Sequence, residues 1–212
     1  MLILLPFTIA GDLDKIWHLA WSYSGHYPFI SLNAYNMWYW FMGNGLYGMS
    51  DEGIFAGLTF KHWGLILFCL TSFVALFPLL RDAYVMIRNK NLEFNTSKIF
   101  LTATILALIF FFFNTEMHER YSHPAIIFAA IYSILTRRYV PYILVSLAYL
   151  LNMEAVMKSL QLHTYGTVPF SPQFVAALYL LAIILLFFDL YKKKYVSQMP
   201  APATRLPVLR VV

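Results

Sequence analysis

The chain contains 212 residues, of which 60% are hydrophobic and only 12% are charged, whereas an ordinary soluble domain carries about 25% charged residues. This composition excludes an ordinary soluble domain and indicates a protein that crosses a membrane several times. The net charge of +5 does not point to a nucleic-acid partner, because Lys and Arg concentrate in the cytoplasmic loops of membrane proteins. The single cysteine gives no disulfide framework.

The first eleven residues, "MLILLPFTIAG", are apolar and are followed by Asp12. They are too few to cross a bilayer, which takes about 20 residues. They also lack the basic start and the small-residue cleavage site of a signal peptide. The pattern predicts the end of a spanning helix whose beginning is missing, and a short interfacial segment is the alternative.

Residues 22–42 are rich in Tyr and Trp and carry almost no charge. Such side chains prefer the membrane–water interface, so we expect an amphipathic stretch that lies along it. Asn33 and Asn36 are three residues apart, which predicts that they share a helical face. Two amides on one face can bind the oxygen atoms of a sugar or a phosphate. The alternative is a plain aromatic belt in which Asn33 caps a helix.

Five further apolar segments follow, which predicts an all-α, polytopic transmembrane helical bundle with five full spans and a partial N-terminal span. The predicted spans are 58–80, 99–113, 124–136, 139–155 and 173–190. Together with the N-terminus they form one transmembrane domain over residues 1–191. Residues 192–212 are basic and Pro-rich and are predicted to be a disordered tail.

The basic residues indicate the orientation of the chain. Residues 81–98, the Arg137–Arg138 pair and the tail are alternate loops, and they hold most of the 15 Lys and Arg residues. The positive-inside rule therefore predicts that these loops and the C-terminus are cytoplasmic, as in a bacterial inner-membrane protein. Residues 12–57, 114–123 and 156–171 then lie outside, and they contain most of the acids and histidines.

Residues 114–124, "NTEMHERYSHP", place a cluster of ionisable groups between two uncharged spans. Ionisable groups at membrane depth are costly unless they are paired or functional. Arg120 carries a planar, permanent charge that suits a phosphate, and Glu119 can orient Arg120 or His118. Ordinary headgroup snorkelling is the alternative. The five-residue spacing of His118 and His123 is not a zinc signature, so we expect no metal cofactor.

Two short segments carry a family resemblance. "SLNAYNMW" (residues 31–38, the loop motif) and "MHERYSHP" (residues 117–124, the turn motif) resemble the C-terminal half of GT-C-type membrane glycosyltransferases. The similarity is greatest to bacterial relatives of the GPI mannosyltransferases, which carry S-x-N-x-x-N-x-W in an external loop and HERY-x-x-P between later spans. The resemblance covers residues 1–190.

The resemblance implies transfer of a hexose, such as mannose, from a polyprenyl-phosphate-linked donor on the non-cytoplasmic face. In this family the two motifs shape the pocket for the donor phosphate and sugar. The residues so implied are His118, Glu119, Arg120, Tyr121, Asn33, Asn36 and Trp38. Arg120 would stabilise the charge that develops on the leaving lipid phosphate.

The chain also departs from the family pattern. The family places its acidic catalytic base in the first external loop of an N-terminal module, and residues 1–11 supply no such acid. The resemblance therefore implies a C-terminal portion without the base, with an N-terminal half encoded upstream as its partner. His123 stands where an apolar residue is expected. The alternative is a non-catalytic membrane subunit or transporter-like protein whose external cluster binds an anion or a lipid headgroup.

Overall fold

The computed structural model describes residues 5–22, 27–90 and 95–192. The fold is all-α, as the sequence predicted, with 72% helix and eight α-helices in the described ranges. The helices are α1 Leu5–Ile9, α2 Leu13–Ser22, α3 Trp38–Met42, α4 Phe60–Asn89, α5 Thr96–Phe113, α6 His123–Thr136, α7 Val140–Met157 and α8 Pro172–Tyr191. The tail predicted to be disordered lies outside the described residues, except for Lys192.

Four of these helices, α4, α5, α7 and α8, are long and apolar enough to cross a membrane. The prediction of five full spans needs correction at α6, because this helix has 14 residues and is about 21 Å long. The hydrocarbon core of a bilayer is about 30 Å thick. The helix ends where Arg137 adopts a left-handed conformation (φ 58°). Helix α7 then begins at Val140, with Pro141 in its first turn.

Helix α4 is longer than the predicted span 58–80. Thr59 caps its first turn by accepting a hydrogen bond from His62 N, and the helix continues to Asn89. Much of the predicted loop 81–98 is therefore helical. This part of α4 is charged but contains no helix-breaking residue, and hydropathy identifies only the part of a helix that lies inside lipid. Lys90, in the left-handed conformation, ends the helix.

The predicted partial N-terminal span corresponds to a short helix in the described residues. Helix α1 has five residues, all exposed, and it is separated from α2 by Gly11, whose φ of +76° suits glycine. Helix α2 is amphipathic, and Lys15 forms a 2.7 Å ion pair with Asp12 near its start.

Helix α5 is the centre of the bundle and packs against α4, α6 and α8. Its core residues Ile105, Leu108 and Ile109 are fully buried. The outer surface of α4 instead exposes large apolar side chains such as Leu70 and Phe73, as expected for a face turned to lipid. The end of the bundle where α4 begins and α5 ends is called the motif end, because it carries both motifs.

A cap of irregular structure covers the motif end. Strand β1 (Ser31–Leu32) pairs in parallel with β4 (Met117–His118), and β2 (Ile54–Phe55) pairs antiparallel with β3 (Leu58–Thr59). These strands are too short to form a sheet layer. The β1–β4 pair fixes the loop that precedes α4 onto the turn between α5 and α6.

Candidate functional site

The loop motif and the turn motif lie side by side. In the β1–β4 pair, Ser31 is opposite Met117 and Leu32 is opposite His118, and a further bridge joins Asn33 to His118. Residues more than 80 positions apart in the chain therefore meet through their backbones. His118 therefore lies directly beside the backbone of the loop motif.

The ionisable residues of the turn motif form a chain around one buried acid. Glu119 is 9% exposed and begins a short 3₁₀ helix, Glu119–Ser122. Its Oε2 is 4.0 Å from His118 Nδ1, and its Oε1 is 3.6 Å from Arg120 Nε. The Arg120 side chain is 68% exposed. Glu119 thus lies within ion-pair distance of Arg120 and beside His118, while most of the Arg120 side chain remains available to an anion.

Aromatic rings surround the His118 imidazole. The edges of Tyr27 and Tyr121 meet it, with ring centroids 6.0 Å and 5.2 Å away. Such edge-to-face contacts restrict the orientation of the imidazole. Tyr121 is 42% exposed, so its ring also forms part of the accessible surface beside Arg120.

The prediction that Asn33 and Asn36 share a helical face is wrong. Neither residue is helical, and Asn33 has a left-handed backbone with φ 64°. Asn36 is fully buried, and its Nδ2 donates hydrogen bonds of 3.3 Å to Phe111 O and to Asn114 O. Its amide is therefore occupied by the backbone.

Trp38 and its neighbours complete the hydrogen bonding at the end of α5. The last four carbonyl groups of a helix have no partner inside the helix. Trp38 Nε1 donates a hydrogen bond of 3.1 Å to Phe113 O, and Met37 N donates one of 3.4 Å to Phe112 O. Asn36 serves Phe111 as described above, and Asn114 Nδ2 donates 3.0 Å to Phe110 O. The polar atoms of Asn36 and Trp38 thus brace the loop motif on α5.

Asn152, which the sequence reading did not select, anchors the loop motif from the opposite side. Its Nδ2 donates a hydrogen bond of 2.8 Å to Asn33 O, and its Oδ1 accepts one of 3.0 Å from Tyr35 N. Asn152 is fully buried in α7. A lone amide within the apolar segment 139–155 was the available signal, because polar side chains in spans usually have a specific partner.

A second ionisable group of residues adjoins the turn motif. Lys61, in the first turn of α4, donates a 2.8 Å hydrogen bond to Glu116 Oε1. Asp51 is fully buried, and burial raises the pKa of its carboxyl group; a hydrogen bond from Thr115 opposes this shift, and the charge of Glu116 adds to it. The sequence reading placed Glu116 in the cluster but gave no role to Asp51.

The remaining histidine of the turn motif pairs with a tyrosine. His123 Nδ1 is 3.2 Å from the Tyr149 hydroxyl, and the two rings meet edge to face. Within residues 5–22, 27–90 and 95–192, no three His, Cys, Asp or Glu side chains come together as metal ligands.

An apolar cavity of about 310 Å³ lies beside Trp38. It extends along the first two turns of α4, to Leu67, and the indole N–H groups of Trp38 and Trp63 beside it are already bonded to backbone carbonyls. Its walls therefore offer ring faces and alkyl groups. The principal lining residues are Met37, Trp38, Phe41, Phe60, Trp63 and Leu67.

No family model, no curated protein and no solved structure matches the chain.

Proposed function

We propose that this chain is the C-terminal part of a membrane glycosyltransferase that transfers a hexose, such as mannose, from a polyprenyl-phosphate-linked donor. The observation that carries the proposal is the β1–β4 pairing, which joins the loop motif to the turn motif. The reaction would occur on the non-cytoplasmic face of a bacterial plasma membrane, because the basic loops lie at the opposite end from the motifs.

Arg120 binds the donor phosphate in this proposal. Its Nε is 3.6 Å from Glu119 Oε1 and its side chain is 68% exposed, so its N–H groups can reach two phosphate oxygens. As the bond from the sugar to the phosphate breaks, negative charge grows on the leaving phosphate, and Arg120 stabilises that charge. His118 and Tyr121 flank the position of the sugar.

The surroundings of the motifs suit a lipid-linked substrate. The apolar cavity near Trp38 extends alongside α4, a helix of span length, and offers a hydrocarbon chain a place beside the site. The catalytic base is not assigned to any residue of this chain. In the proposal it comes from a partner half encoded upstream.

The direct test is Arg120→Ala in the complete protein, assayed for sugar transfer from a polyprenyl-phosphate hexose. Removing one charge-stabilising donor lowers such rates by about 10²–10³-fold, while membrane insertion should be unchanged. Arg137→Ala is the matched control, because this exposed arginine lies at the other end of α6. Normal transfer by Arg120→Ala would overturn the assignment.

One observation favours a second function. The side chains of Asn36 and Trp38 donate hydrogen bonds to carbonyl groups of α5, while Arg120 is exposed. Such an arrangement suits a surface that binds a headgroup without catalysis. The chain would then be a non-catalytic subunit or transporter-like protein that binds an anion or a lipid headgroup. Arg120→Ala would then reduce binding of anionic-lipid vesicles, and the complete wild-type protein would show no sugar transfer.

A further inference from the structure

A buried carboxyl group lies directly beside the turn motif. Asp51 is 0% exposed, and its Oδ2 accepts a 2.9 Å hydrogen bond from Thr115 Oγ1. Its other oxygen, Oδ1, is also buried and receives no hydrogen bond from any residue in the described ranges. An ionised carboxylate in such a place is costly, because a buried acceptor without a donor has lost its hydration and gained nothing.

A second carboxyl group and an ammonium group face Asp51. Glu116 follows Thr115 in the chain, and its carboxyl group is within hydrogen-bonding reach of the Asp51 carboxyl group. Lys61 Nζ donates 2.8 Å to Glu116 Oε1, and Lys61 N donates 3.1 Å to Asp51 O. Glu52, on the same loop as Asp51, is exposed, and its negative charge attracts the Lys61 ammonium group. Two facing carboxyl groups thus adjoin one ammonium group.

We propose that the buried Asp51 carboxyl group, facing Glu116, holds a proton in the folded chain at pH values where the unfolded chain has released it, and that this proton-binding site positions the turn motif. The proton gives the buried Asp51 carboxyl group a second hydrogen-bonding interaction besides the one from Thr115. The protonated pair keeps a single negative charge, which Lys61 balances. This inference is independent of the sugar-transfer proposal, because it concerns only how the turn motif is held.

The position of Glu116 explains why the proton affects the turn motif. Glu116 has a left-handed backbone with φ 60°, which is costly for a residue other than glycine. It is held there by its side-chain contacts and by Glu116 N, which donates 3.0 Å to Phe29 O. Glu116 directly precedes β4, so its release would move His118.

Loss of the proton should weaken the folded state in a defined direction. The ordinary pKa of an Asp carboxyl group is 3.8, and that of Asp51 is raised above this value by burial. Above pH 3.8 the unfolded chain has released this proton while the folded chain still holds it. The free energy of unfolding therefore falls as pH rises from 3.8 through the raised pKa.

Infrared spectroscopy of the full chain in nanodiscs detects the proton through the carbonyl stretch of a protonated carboxylic acid. We expect this band in the wild type at pH 5, above the ordinary pKa of 3.8, and we expect it to lose intensity as the pH rises further. It should lose intensity in Asp51→Asn and in Glu116→Gln, because an amide N–H at either position replaces the proton. Glu52→Gln is the control and should leave the band unchanged. Absence of the band in the wild type, or its full retention in Asp51→Asn, would overturn the proposal.

The positioning role has its own measurement. Asp51→Asn should raise the melting temperature at pH 8 by roughly 2–4 °C and reduce its dependence on pH. Hydrogen exchange of residues 115–121, corrected for its intrinsic pH dependence, should increase at alkaline pH in the wild type but not in Asp51→Asn. Equal protection in both proteins across the pH range would show that the proton does not position the motif. If the variant folds poorly, the wild-type infrared titration still decides whether the proton is bound.

Discussion

At the residue scale, the loop motif is explained by the hydrogen-bonding needs of α5. A helix that ends under a cap rather than in water must pass its last carbonyl groups to other donors. Asn36, Met37 and Trp38 provide three of these donors, and Asn114 provides the fourth. The same three residues thereby fix the position of the loop motif relative to α5. The loop motif meets His118 through the pairing of β1 with β4.

Asn152→Leu should weaken this arrangement. The substitution removes the donor to Asn33 O and the acceptor for Tyr35 N, both in a partly buried environment. Leaving such groups without partners costs about 1–3 kcal/mol each, so a clear fall in melting temperature is expected in detergent or nanodiscs. Leu150→Ala, at an exposed position of the same helix, is the control and should change stability little. Equal melting temperatures for Asn152→Leu and the wild type would refute the anchoring role.

The local sequence predicted part of the site and missed the rest for a physical reason. The cluster His118–Glu119–Arg120 was visible because ionisable residues between apolar spans are expensive. The conformation of Asn33 and Asn36 was not visible, because Asn36 bonds to a carbonyl group of α5, 75 residues later in the chain, and Asn33 to Asn152, 119 residues later. Asp51 was missed for the same reason, since its burial is created by the pairing of distant segments.

At the element scale, hydropathy predicted the helices whose ends coincide with the edges of the apolar region. Segments 139–155 and 173–190 correspond closely to α7 and α8. It failed for α4, which continues to Asn89 as an exposed, partly charged helix. It also could not distinguish a full span from the 14-residue α6, because both are equally apolar.

An ion pair between a buried aspartate and a partly exposed arginine joins three elements at the end opposite the motifs. Asp189 of α8 is 2% exposed, and it accepts a 2.9 Å hydrogen bond from Tyr132 of α6 and forms a 2.8 Å ion pair with Arg138, between α6 and α7. Such a group is predicted to respond strongly to the loss of one member, because the remaining charge stays buried.

Arg138→Met should therefore destabilise the protein by about 3–5 kcal/mol. The double variant Arg138→Met/Asp189→Leu removes both charges and should recover much of that loss. Thermal unfolding in nanodiscs measures both proteins. If the double variant is no more stable than Arg138→Met, the ion pair is not the cause of the destabilisation.

At the scale of the whole molecule, the motifs lie together at one end of the bundle and the basic connections at the other. The positive-inside rule predicts that the motif end is non-cytoplasmic. This orientation is a prediction from charge, and the proposed use of a lipid-linked donor outside the cytoplasm requires it.

Cysteine labelling tests the orientation. In a Cys69→Ala background, Glu52→Cys at the motif end should react with an impermeant thiol reagent in intact cells. Asn89→Cys, exposed at the other end of α4, should react only after the membrane is opened. The reverse pattern would invert the predicted topology.

The most direct test of a single donor site is photo-crosslinking of the complete protein with a photoreactive polyprenyl-phosphate hexose, followed by peptide mapping. We predict that the probe labels residues 31–38 and 117–124 together, and that unlabelled donor competes while an ordinary anionic phospholipid does not. Arg120→Ala should reduce labelling of both segments. Labelling elsewhere in the chain, or equal competition by the phospholipid, would contradict a sugar-donor site at the paired motifs.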